Sequence, residues 1–179
     1  MVTREKECTA NMQLWRSTVW RQLGASIDML ENSIVACPEN LWGDRARQPE
    51  YWYIAFHTLF FLDFYFSNSA EPFAPPEPFG LEELDPAGIL PPRVYSKNEL
   101  LVYLNYCCDK CRTAIRSLSE ETAHQDCGSL RPGLTRVELY LYVMRHVQHH
   151  TAQLNLILRQ TIDSAPRWVG KSEFQLDND

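Results

Sequence analysis

The chain has 179 residues, 45% of them apolar, and its 17 basic and 23 acidic residues give a formal net charge of −6. That length and apolar content fit one globular domain spanning 1–179, and an acidic balance without a dense Lys/Arg patch excludes nucleic acid as the main partner. No uncharged apolar run approaches a membrane span, and Met1 to Glu7 lacks a hydrophobic signal region, so no membrane association is expected and a cytoplasmic location is the default.

The first predicted helix runs from about Asn11 to Ala36. Leu23, Ile27, Leu30 and Ile34 form one side, Trp15 and Trp20 add bulk near its start, and Cys37-Pro38 ends it because the residue before proline avoids helical angles. The second starts at Pro49-Glu50, a proline suited to the first helical position followed by an acidic residue, and reaches about Ser67. It is apolar nearly all round, so a central place is expected. The third opens with the capping box Ser96-Lys97-Asn98-Glu99 and ends near Ser119; the fourth opens with Thr135-Arg136-Val137-Glu138 and reaches about Thr161. No alternating strand pattern competes, and the expected fold class is all-α, a four-helix bundle.

Residues 68–95 form a long crossover between the second and third helices, broken by Pro72, Pro75, Pro76, Pro78, Pro86, Pro91 and Pro92. Phe73, Phe79, Leu81, Leu84, Ile89, Leu90, Val94 and Tyr95 supply apolar anchors that argue for a packed segment, covering core surface or shaping the mouth of a site. The polar tail 169–179 is expected to be loose. Cys107 and Cys111 make a C-x-x-C, but they continue the stripe of Leu100, Leu104, Ile115 and Leu118, which marks them as buried structural thiols. Cys8, Cys37 and Cys127 are scattered, and no disulfide is expected. Gly170-Lys171-Ser172 is a chance match to the end of a phosphate loop, with no strand before it.

Three of the five histidines lie in Arg145-His146-Val147-Gln148-His149-His150 on the fourth helix. With His146 at zero and about 100° per residue, His150 falls at about 40° and His149 at about −60°, so His146 and His150 share the core stripe and His146 with His149 is the second choice. His57 stands on a line with Tyr53, Phe61 and Phe64 on the second helix. Three core-facing imidazoles left unpaired would each cost about 1 to 3 kcal/mol, whereas a shared divalent cation removes that cost and leaves coordination positions open. Tyr142 and Gln153, each one turn from a histidine, are candidate orienting groups. Glu50 lies nearly two turns from His57, about 10 Å away, which is too far for a general base. Tyr53, Phe60, Phe61 and Phe64 are expected to line a small dry pocket.

The sequence Ala55-Phe56-His57-Thr58-Leu59 together with the H-x-x-x-H of His146 and His150 resembles the DinB/YfiT-like four-helix-bundle metalloproteins over about Trp15 to Arg159. That resemblance implies a site in which His57, His146 and His150 hold one divalent metal ion, nickel or zinc, and a homodimer. It further implies either a transferase that uses a low-molecular-weight thiol on a small electrophilic substrate or a metal-dependent hydrolase. A non-catalytic, stress-related metal-binding dimer is the other class it admits. The adjacent His149 and the length of the crossover depart from the family pattern.

Overall fold

The segment from Tyr51 to Tyr65 has no polar face, and a helix of that kind can satisfy burial only with neighbours on several sides. The computed structural model, which describes residues 2–67 and 72–176 with side chains from residue 10 onward, gives it those neighbours. In chain order the helices are α1 (Val2–Ala36), α2 (Glu39–Trp42), α3 (Tyr51–Tyr65), α4 (Lys97–Ser117), α5 (Glu120–Ala123) and α6 (Arg136–Ile162), with 3-10 turns at Glu82–Leu84 and Gly128–Leu130. α3 packs against α6 and α4, and α1 packs against the same two from the other side. The described residues form an all-helical bundle of four long helices, with no strand among them. None of these helices is long and apolar enough to cross a membrane.

Helix ends follow the local chemistry. Ser96 and Thr135 cap α4 and α6 with reciprocal bonds to Glu99 and Glu138, as their spacing predicts. Pro38 stops α1 and becomes the N-cap of the short α2. α1 begins at Val2 rather than near Asn11, and α3 begins at Tyr51, so Pro49 precedes the helix instead of opening it. Glu50 is the N-cap; its buried carboxylate accepts from Trp52 Nε1 at 2.6 Å and faces Arg45 at 3.4 Å, which fixes it as a structural group.

Polar side chains lock the central helix to α4. Asp63 is fully buried, and its two oxygens accept from Tyr103 at 2.9 Å and from Lys110 Nζ at 2.5 Å, while Lys110 also reaches Ser67 at 2.7 Å. A buried carboxylate needs this degree of pairing to stay charged.

Of the crossover expected over 68–95, residues 68–71 lie outside the described residues; the remainder is held by aromatic rings. Phe79 stacks on Tyr103 at 4.3 Å, Tyr95 packs 4.9 Å from Phe56, and Phe73 lies 5.3 Å from Phe60. Leu81, Leu84, Ile89 and Leu90, expected as further anchors, are exposed instead. The tail expected to be loose over 169–179 carries no helix but is tied to the bundle through its backbone as far as residue 176. Phe174 O accepts from Trp20 Nε1 at 2.8 Å, Leu176 O from Arg116 at 2.9 Å, and Ser172 N donates to Arg21 O at 2.9 Å. Residues 177–179 lie outside the described residues.

Cys37, Cys107, Cys108, Cys111 and Cys127 are free thiols, and Cys107 and Cys111 are wholly buried on the α4 stripe. Burial pushes both thiols well above the ordinary range, so neither forms a reactive thiolate. Cys107→Ala or Cys111→Ala should cost about 0.5 to 3 kcal/mol through the lost packing and leave metal content unchanged. Thermal melting and elemental analysis of the two variants check this, and loss of a bound metal from either would contradict it.

Candidate metal centre

α6 presents a histidine at each of two successive turns because positions four apart lie on one face, and Val143 and Val147, both fully buried, aim that face at the core. α3 answers with His57. Its ring centroid lies 5.5 Å from that of His146 and 4.8 Å from that of His150, with His146 and His150 4.6 Å apart. One nitrogen from each of the three rings falls within 4.8 Å of the others. Metal–imidazole bonds run about 2.0 to 2.1 Å, so small rotations of half-buried rings suffice to bring the three nitrogens around a single ion.

The other ring nitrogens show which tautomers are set. His57 Nδ1 meets Glu83 Oε2 at 2.6 Å, and because an ionised carboxylate can only accept, Nδ1 is the donor and Nε2 is the nitrogen left for a ligand. Gln153 Oε1 accepts from His150 Nδ1 at 2.7 Å with the same result. Gln153, one turn beyond His150, is thus in hydrogen-bond contact with that ring. His146 Nδ1 is buried and has no hydrogen-bond partner. Tyr142 does not supply one. Its hydroxyl accepts from Arg131, whose guanidinium lies 4.6 Å from the Tyr142 ring and 5.4 Å from that of Tyr65.

His149 is exposed and stands outside the triad, with its ring 4.9 Å from that of His150. It lines a cavity of about 650 Å³ between α1, α6 and the tail, whose walls include Gln22, Ser26, Tyr142, Arg145 and Trp168 and which reaches His146. The dry pocket expected from the α3 aromatics is not where this space lies. Phe60 is fully buried, while the half-buried Phe61 packs 4.8 Å from the His57 ring and the half-buried Phe64 packs on Phe73 at 5.2 Å, so these rings pack on one another and on the site. Glu83 and Arg131 are the two groups at the centre that the sequence did not mark. Neither shows a periodic signal, since one lies in the crossover and the other follows a 3-10 turn.

Burial, followed by the neighbouring His150, His57 and His149 rings and the Arg131 charge, pushes His146 down to about 3. Burial also lowers His150, against the raising effect of its bond to Gln153. His146 and His150 are therefore biased toward the neutral form that binds metals.

No family model, curated protein or solved structure matches the chain. What the fold and the centre define is a class, an all-helical protein whose three-histidine cluster could hold a metal ion.

A proton is taken up at His146 by the unfolded chain near the ordinary value of 6.5 but by the fold only near 3. The contribution of His146 to the stability of the metal-free protein is thus complete above about pH 6.5 and falls as the pH drops below it toward about 3, because the unfolded state binds the extra proton. The urea midpoint at about pH 5 should lie below that at about pH 7, with a smaller drop in His146→Gln. Identical midpoints in the wild-type protein would contradict the neutral, buried ring.

Proposed function

We propose that this chain is a metal-dependent enzyme of the DinB/YfiT-like kind, binding one divalent ion, nickel or zinc, through His57, His146 and His150 and transferring a low-molecular-weight thiol to a small electrophile. The observation that carries the reading is the state of the ring nitrogens. Two histidines have their Nδ1 atoms held by Glu83 and Gln153, which leaves Nε2 of each for a ligand, and one nitrogen of each of the three rings lies within 4.8 Å of the others. The third has a buried nitrogen with no partner within the protein. Such a set suits a cation, and three neutral ligands leave its charge undiminished.

When bound, a divalent ion in this setting lowers the pKa of a thiol or water and so supplies a nucleophile near neutral pH. The chain's own contribution is orientation and exclusion. Glu83 and Gln153 fix two imidazoles, burial keeps His146 uncharged, and Phe61 packs against the His57 ring. The cavity that reaches His146 offers about 650 Å³ to a small molecule, within the usual range of about 300 to 1,000 Å³ for ligand pockets. The same resemblance brings a homodimer with it, which sedimentation at micromolar concentration tests.

Protein purified without a histidine tag should carry about one divalent ion per chain, and His57→Ala or His146→Ala should abolish it. At ~100 times the dissociation constant a ligand adds about 2.7 kcal/mol, so nickel or zinc should raise the Tm of stripped protein by roughly 5 to 11 °C. Stoichiometric ion in both variants, or no shift in the wild type, would sink the assignment.

The reaction is tested by presenting metal-loaded protein with epoxide and chlorodinitrobenzene-type electrophiles, with and without several low-molecular-weight thiols, and with esters and amides in water. Turnover that requires a thiol is the expected result. Turnover in water alone would make the protein a hydrolase, and none in either case at full occupancy would leave a binding protein.

A further inference from the structure

Glu83 belongs to the crossover, 26 residues from His57 along the chain, yet its side chain is only 3% exposed and the bond between them is 2.6 Å long. Leu81 and Leu84, beside it in the same turn, face solvent. The segment thus turns a carboxylate inward and its leucines outward, the reverse of what burial energy alone selects. Tyr53, one turn before His57 on α3, sets its phenol beside the same carboxylate, whose charge adds to burial in raising that phenol. The neighbouring Glu82 also buries a carboxylate oxygen, but it is Glu83 whose carboxylate meets Nδ1 of His57.

We infer that Glu83 is a positioning residue for His57, and that through it the proline-rich crossover is latched to the three-histidine centre. The inference rests on the metal reading given above and adds a coupling to it. A carboxylate on Nδ1–H fixes the ring's tautomer and direction and makes Nε2 a stronger donor to a cation; removal of such a partner characteristically weakens metal binding by about 10 to 100-fold. The coupling is reciprocal, since whatever an ion gains from the docked crossover the docked crossover gains from the ion. Ion binding therefore fastens the crossover, and an undocked crossover weakens the centre.

The test uses the full chain, nickel and zinc as probes, and the variants Glu83→Gln and Glu83→Ala. Nickel affinity should fall about 10 to 100-fold in Glu83→Ala and less in Glu83→Gln, whose amide oxygen can still accept from Nδ1–H. Nitrogen-15 spectra of the metal-free protein should show His57 as the Nδ1–H tautomer in the wild type and in Glu83→Gln, and as a mixture in Glu83→Ala. Limited proteolysis should cut the crossover more slowly with zinc than without it in the wild type, and equally fast in both conditions in Glu83→Ala. Wild-type affinity retained by Glu83→Ala, with zinc still protecting the crossover, would overturn the latch and leave the metal reading standing. Equal loss in both variants together with a lowered metal-free Tm would also overturn it, because the residue would then be structural. A flat nickel and zinc titration of the wild-type protein would strike the metal reading itself, whatever the tautomer spectra show.

Discussion

Each imidazole brings two nitrogens to a half-buried place between helices, and the pairing of those six atoms constrains how α3 and α6 can meet. Two of the outward nitrogens are answered, one by Gln153 from the same helix and one by Glu83 from a distant loop. Those answers leave the opposite nitrogen of each of the two rings for a ligand. The unpartnered Nδ1 of His146 is the residue of the constraint, and a buried polar atom left in this state costs about 1 to 3 kcal/mol. The fold tolerates that cost at the point where three lone-pair-bearing rings converge.

Much of this was legible from periodicity, because burial selects a face and a face has a period. Leu23, Ile27, Leu30 and Ile34 predicted the core side of α1 and are all buried. The same phase separated His150 from His149 on α6, and His57 followed from its line with Tyr53 and Phe61. The capping boxes of α4 and α6 were readable because their side chains bond to backbone only three residues away. The early start of α1 at Val2 and the four-residue helix α2 have no comparable local signature, and the capping box of α5 pairs Ser119 with Thr122 instead of a glutamate.

What the sequence could not show are contacts made by irregular segments. Glu83 looks like any acidic residue in a proline-rich loop until the chain is folded back over His57. The tail reads as polar and unattached, but besides the buried Leu176 it is held by backbone groups, and every residue type offers the same carbonyl to Trp20 and Arg116. The aromatic content of α3 suggested a pocket, whereas large flat side chains at successive turns packed on one another and left the open space beside α1. Aromatic composition alone does not distinguish a lined cavity from a filled one.

The pairing of Asp63 with Lys110 and Tyr103 has a consequence for the histidine it never touches. Asp63 ties α3 to α4 from one flank while His57 faces α6 from another, so a rotation of α3 about its axis, or a slide along it, would part a buried carboxylate from its cation. Both rigid-body freedoms of the helix are thereby removed before any ligand arrives. His57 comes to the centre preorganised by its backbone, and the ordering that a binding event would otherwise have to impose has already been met in folding.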